Sequence, residues 1–267
     1  MKKLLLALTA VAAMTGSASA ADLAAKPYVK APPPPPAYSW TGFYIFGGGG
    51  GGLWAADQHV QDTLTGVPLT IDQRQGGSGW FGTVGLGYDW QLGNTWVLGV
   101  FADGQFGSIR GTLQDPFSTL GTFGIITGQT KLQDSWAAGV RLGWLVAPNV
   151  LTYVNGGYSG SHWSGVNFLD TVTGLPVGAH TNSFNRNGWF IGGGVENNLN
   201  FFGISSPGWF MKTEYRAAYY GGKNIGELVD GTNVAVGRDI NFKPLVQTVE
   251  TSLVYRFNWT GPVVAKY

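Results

Sequence analysis

The chain has no cysteine, which excludes disulfides, thiolate metal sites and thiolate catalysis together. Charge is scarce as well, with Asp, Glu, Lys and Arg at 12% of residues against a usual ~25%. The net charge is +1, so no basic field can hold nucleic acid and no acidic field can recruit a basic partner. Long apolar runs are missing too. No stretch reaches the ~20 apolar residues of a spanning helix, so any membrane insertion must use strands. What the chain has in excess is glycine, 43 of 267 residues, and aromatic residues, at 14%. Glycine without a Gly-X-Y period is not collagen, and 44% hydrophobic residues is too apolar for a disordered chain.

The first 39 residues carry their own signals. Lys2 and Lys3 precede an apolar run from Leu4 to Met14 and then the small residues Ala18, Ser19 and Ala20. That is the layout of a secretory signal peptide over residues 1–20, with the mature chain starting at Ala21. Residues 21–39 hold Pro27 and the run from Pro32 to Pro36, which lack backbone donors and favour an extended polyproline II path. They read as a periplasmic tether, with docking of the proline run to an aromatic groove as the lesser alternative.

From Trp40 onward the sequence alternates at period two, the mark of half-buried strands. In 135–146, Trp136, Ala138, Val140, Leu142, Trp144 and Val146 take one face, and Ser135, Ala137, Gly139, Arg141 and Gly143 take the other. Eight such segments are expected, near 41–54, 79–92, 95–110, 131–146, 150–164, 186–198, 209–221 and 246–259. Gly93–Asn94 and Ala147–Pro148–Asn149 are tight hairpin turns. The links near 55–78, 112–130, 165–185 and 222–245 are long, polar and rich in Gly, Thr, Asn and Asp, and read as loops. Short turns at one end and long loops at the other describe an all-β, eight-stranded antiparallel up-and-down transmembrane barrel over residues 40–259. Residues 260–267 are a tail or an extension of the last strand. An even strand count brings both termini to the short-turn, periplasmic side.

Trp80, Trp90, Trp136, Trp144, Trp189 and Trp209 lie near strand ends on the apolar face, where interfacial aromatic girdles belong. A soluble sandwich or lipocalin-like barrel also alternates at period two. It would have to bury these rings and would be left with about one outward charge per strand. In the membrane reading, strand parity turns Asp89, Asp103, Glu196, Glu214 and Glu250 into the lumen together with Arg141, Lys212, Arg216 and Arg256. Five acids against four bases nearly cancel, which suggests mutual pairing and a filled interior. A conducting pore would instead carry charges of one sign around a wide lumen. Arg141 is expected to reach Glu196, Glu214 or Glu250, and Asp170 to be an ordinary solvated loop charge.

The leader, the proline-rich start, the sequence Trp40-Thr41-Gly42-Phe43-Tyr44 opening the first strand and the closing Tyr255-Arg256-Phe257 together resemble the outer-membrane immunogenic protein family of alphaproteobacteria, small porin-like barrels with an OmpA-like transmembrane architecture. The resemblance implies an eight-stranded barrel inserted by the outer-membrane assembly machinery, with an envelope-integrity or surface-interaction role. Barrels of this kind commonly end on an aromatic residue, whereas here Phe257 and Trp259 are followed by residues 260–267.

Chemistry is sparse. His59, His162 and His180 are far apart, with no i,i+4 pair and no carboxylate at ligand spacing beyond Asp57 near His59. The glycines from Gly47 to Gly52 meet G-x-G-x-x-G trivially, and the plainer reading is space beside bulky lumen neighbours. No catalytic residue, cofactor or metal is expected. The first reading is therefore a structural or surface-interaction barrel with a filled lumen. A narrow porin is second and a rim enzyme third. The expected partners are outer-membrane lipid and the assembly machinery, with peptidoglycan or host surface molecules beyond them and no nucleic acid.

Overall fold

The computed structural model describes residues 39–116, 125–204 and 206–257. The expected signal peptide, the proline run and residues 260–267 lie outside the described residues. Within them are eleven strands: β1 (Gly42–Asp62), β2 (Gln73–Leu92), β3 (Trp96–Asp115), β4 (Ile126–Ala147), β5 (Val150–Trp163), β6 (Val166–Asp170), β7 (Pro176–Thr181), β8 (Phe184–Asn198), β9 (Trp209–Tyr220), β10 (Lys223–Val229) and β11 (Ala235–Arg256). A short 3₁₀ helix, Leu199–Phe202, joins β8 to β9.

All pairings are antiparallel. The ring β1-β2-β3-β4-β5-β8-β9-β11 closes on itself through nineteen residue pairs between β1 and β11, from Tyr44↔Arg256 to Asp62↔Arg238. Closure leaves no free edge, as a chain in lipid requires. Higher up, the ring has the same number of strands but different members. There β6, β7 and β10 stand where β5, β8 and β9 stood, linked β4–β6–β7–β10–β11. The eight expected strands are therefore present, and three of them are interrupted at similar heights, at 164–165, 182–183 and 221–222.

The interruptions have visible causes. Pro244 of β11 has no backbone donor, and it sits where β11 passes from its pairing with β10, ending at Phe242, to its pairing with β9, beginning at Leu245. Polar groups stitch the gaps: Arg186 donates to the carbonyls of Gly221 and Gly222, both at 2.8 Å, and Lys131 N donates to Ser164 Oγ at 3.0 Å.

The segments read as loops in 55–62, 73–78, 112–115, 126–130 and 235–245 belong instead to strands, and the barrel is correspondingly taller. The physical reason is an inversion of pattern. Along β1 the inward positions run Tyr44, Phe46, Gly48, Gly50, Gly52, Trp54, Ala56, Gln58 and Val60, one unbroken parity. The outward positions change from Phe43, Ile45 and Leu53 to Asp57, His59 and Gln61. Strand β11 does the same, with Leu253 and Val249 outside low down and Lys243 and Asn241 outside above. The lower half is apolar outside, and the upper half is polar outside around buried Ile240, Phe242, Ile225, Phe168, Val166, Ile126 and Leu113.

The membrane zone is bracketed by aromatic rings on the outer wall. Trp80, Trp136 and Trp189 lie outward near the boundary between the halves, and Trp90, Trp144 and Trp209 lie outward near the short turns. Along β2, Trp80 and Trp90 are ten positions apart. At ~3.3 Å per residue and ~40° of tilt, that separation spans about 25 Å, the height of an outer-membrane apolar band. Trp96, Tyr158 and Tyr219 face outward with them.

Candidate functional site

The side chains turned into the lower lumen form two tiers of ion pairs. In the tier nearest the short turns, Arg141 of β4 donates from Nε to Asp89 Oδ1 at 2.8 Å and from Nη2 to Asp89 Oδ2, and from Nη1 to Glu196 Oε2 of β8 at 3.1 Å. Arg256 of β11 lies across the same two acids, 2.8 Å from Asp89 Oδ2 and 2.7 Å from Glu196 Oε1. Two bases thus share two acids, all four almost fully buried. Aromatic faces hold the guanidinium groups in place: Arg141 lies 4.4 Å above the Tyr44 ring, and Arg256 lies 4.5 Å above the Trp40 ring. Gly99 supplies the room, since a Cβ there would run into Asp89 and Arg141.

Below this tier the indole of Trp40, fully buried, closes the barrel. Its backbone N donates to Gln91 Oε1 at 2.9 Å, its Nε1 to the carbonyl of Pro148 at 3.2 Å, and its own carbonyl accepts from Arg256 Nη1 at 3.2 Å. Phe210 packs on it at 5.1 Å.

The second tier is built from Asp103, Lys212, Glu214, Arg216 and Glu250. Arg216 grips Asp103 with two parallel bonds of 2.9 and 2.7 Å, the bidentate fork that guanidinium and carboxylate geometry allows, and bonds Glu214 at 2.8 Å. Lys212 reaches Glu250 at 3.0 Å and Glu214 at 3.6 Å, with its ammonium 3.5 Å from the centre of the Phe46 ring. Glu214 also accepts from Tyr153 Oη at 2.9 Å. All nine sequence-nominated lumen residues are brought into these two tiers. The nominated partners of Arg141 are sorted differently, however: it meets Asp89 and Glu196, while Glu214 and Glu250 belong to Lys212 and Arg216.

Above the tiers the lumen becomes apolar. Trp54, Trp163, Phe184 and Phe242 form one cluster, with Trp54–Trp163 at 5.5 Å, Trp163–Phe242 at 5.2 Å and Phe184–Phe242 at 5.7 Å between ring centres. Between cluster and tiers, a cavity of about 10 Å³ borders Phe81, Gln105, Ile109 and Leu132, room for about one water.

Higher still, Asp115 and Glu227 are fully buried, with Arg238 3.6 Å from Asp115. Burial, reinforced by the Asp115 carboxylate, pushes the Glu227 carboxyl up to about 9, and Arg238 opposes this only in part. Neither acid was singled out in the sequence, because both fall in or beside segments read as loops. Asp170 is also more engaged than an ordinary loop charge. Its Oδ1 accepts from the backbone N of Val172 and Thr173 and from Thr173 Oγ1, and these bonds lower its pKa.

Each of the three histidines meets one aspartate: His59 with Asp72 at 2.9 Å, His162 with Asp134 at 3.2 Å and His180 with Asp230 at 2.6 Å. The pairs are far apart, and no group of three or more His, Asp or Glu able to hold a metal occurs among the described residues. The partners are 13 to 50 positions away in sequence, beyond any local motif.

Comparison with known proteins agrees with this architecture. A family model described as outer membrane protein beta-barrel domain matches residues 4–242. The 31 kDa outer-membrane immunogenic proteins of Brucella melitensis and Brucella suis are each 30% identical to the chain over 268 residues, covering 96% of it and the whole of each relative. Among solved structures, the outer membrane protein OprG of Pseudomonas aeruginosa is 10% identical, with 81% of this chain and 97% of that one covered and a TM-score of 0.45.

Proposed function

The chain belongs to the outer membrane β-barrel family, and on that premise we propose that it is a sealed barrel whose role is exercised at the cell surface by its taller, upper half. The observation that carries this reading is the filling of the lumen by two charge tiers, a Trp40 floor and an aromatic cluster stacked along one axis. Eight strands leave an interior just wide enough for side chains to fill, and here they interlock from wall to wall.

An even ring brings both ends of the barrel to the side of the short turns, which supports a periplasmic placement of that side. Both termini and the short turns face the periplasm, with residues 1–20 a removed leader, 21–39 a periplasmic segment, 40–259 the barrel and 260–267 a tail. The upper half then stands outside the cell. Its own apolar core makes it a rigid platform for envelope integrity or surface interaction, including contact with host surface molecules. Outer-membrane lipid surrounds the lower half, and the assembly machinery inserts it. The three His–Asp pairs stand apart from one another, and beside His162–Asp134 the Ser161 hydroxyl is taken up by the Arg186 carbonyl and Trp163 Nε1, which supports a non-enzymatic role.

Single-barrel conductance in planar bilayers tests the proposal. Wild type is expected to give no steady open level, and Arg141→Ala to give brief, noisy openings at most. A steady ohmic level in wild type whose ion selectivity changes in Arg141→Ala would replace the sealed barrel with a narrow porin.

A further inference from the structure

Just above the upper aromatic girdle, the outer wall carries a groove unrelated to the lumen. It measures about 330 Å³ and is lined by Asp134, Trp136, Ser161, His162, Asn185 and Asn187. Strand register builds it as two rows across β4, β5 and β8. The lower row is Trp136, Gly160 and Asn187, and the upper row is Asp134, His162 and Asn185. Gly160 is what lets the indole lie flat across β5, since a Cβ there would collide with Trp136 Nε1. The result is an exposed aromatic floor beneath a carboxylate, two amides and an imidazole whose Nδ1 is turned to Asp134.

We propose that this groove binds the neutral saccharide headgroup of a glycolipid in the surrounding leaflet. A sugar ring offers an apolar C–H face that fits a flat aromatic surface, and a rim of hydroxyls that both donate and accept. Asp134 can accept from two adjacent hydroxyls, the Asn185 and Asn187 amides can donate and accept, and the outer nitrogen of His162 can bond a third. The volume suits one or two hexose rings. None of the lining side chains is Lys or Arg, and Asp134 repels anions, which selects against phosphate headgroups. The occupant comes from the membrane because Trp136 belongs at once to the groove and to the girdle that marks headgroup level. The site rests on the membrane placement of the lower half and is independent of whether the lumen is sealed.

The test is native mass spectrometry of the barrel released from phosphatidylcholine nanodiscs doped with digalactosyl diacylglycerol. Both leaflets then present the sugar, so the outcome does not depend on orientation. Wild type is expected to retain the glycolipid, and not phosphatidylglycerol supplied at the same fraction. Asp134→Asn and Trp136→Ala should each cut retention on the order of tenfold, as loss of a charged hydrogen-bond partner or a stacking face does. Trp90→Ala, in the lower girdle, should leave retention unchanged. Heat-dependent gel mobility verifies that each variant is folded. Unchanged retention in Asp134→Asn, or equal retention of phosphatidylglycerol, would overturn the proposal. Binding of free digalactose as tight as that of the lipid would move the ligand from the membrane to a soluble glycan and overturn the membrane source.

Discussion

The lower and upper halves of this barrel are one set of strands with opposite solvents. Below, the outside meets lipid and the inside holds nine charged side chains; above, the outside meets water and the inside holds Trp54, Trp163, Phe184 and Phe242. Parity along β1 and β11 never changes, so the backbone is indifferent to which face is apolar. The medium decides. In lipid the apolar effect cannot drive packing toward the lumen, so the interior is held by charge-assisted hydrogen bonds that are costly to break. In water, burial of aromatic surface drives the same ring together.

This contrast can be broken from either side. The largest effect is expected from Arg141→Ala, which leaves Asp89 and Glu196 short of a partner at almost zero exposure. A loss of ~3 to 5 kcal/mol is expected in urea unfolding in detergent, the usual result of breaking a buried pair. Phe242→Ala should cost about 3 kcal/mol by removing a ring that touches Trp54, Trp163 and Phe184. Its damage should be local: hydrogen exchange would quicken in 54–60 and 235–246 while amides beside Arg141 stay protected.

A smaller effect concerns pH. The Glu227 carboxyl is held at about 9, above its ordinary 4.5, so the folded upper half keeps a proton that the unfolded chain gives up. Stability is therefore greatest below the unfolded pKa and falls as pH rises between the two values, by at most ~1.4 kcal/mol per pH unit. Glu227→Gln should remove that slope, which thermal unfolding at several pH values would reveal. A slope unchanged in the variant would show that Glu227 is charged already. Asp57→Ala, on the watered outer wall beside Lys243, should cost under ~1 kcal/mol in the same urea assay.

The lower half was legible in the sequence because lipid demands long apolar alternation, and a soluble barrel burying Trp80, Trp136 and Val140 would be left with too few outward charges. Parity then placed Arg141 and Glu196 inside, though it could not say which acid each base would meet, since pairing across a lumen joins residues as far apart as Arg141 and Asp89, 52 positions, or Arg216 and Asp103, 113 positions. The upper half was read as loops because its outward residues are polar and its glycines and threonines resemble turn chemistry. The signal was nevertheless present in Ile240-x-Phe242-x-Pro244-x-Val246 and in Trp54-x-Ala56-x-Gln58-x-Val60, which continue the period of the strands below them. Asp115 and Glu227 stayed hidden for the same reason. The His–Asp pairs left no trace at all, since His162–Asp134 is made by register between neighbouring strands and Asp72 and Asp230 lie just beyond the ends of β2 and β10.

The inversion itself is measured most directly by single cysteines, which the cysteine-free chain accepts without background. Cysteines replace outward Val84 and Leu142 below the girdle, outward Asp57 and Gln129 above it, and inward Phe242. Intact cells are treated with a membrane-impermeant maleimide. Positions 57 and 129 should label fast, while 84 and 142 are shielded by lipid and 242 by the upper core. Fast labelling at 84 and 142, or at 242 with the barrel folded, would contradict the account of one ring wearing two opposite surfaces.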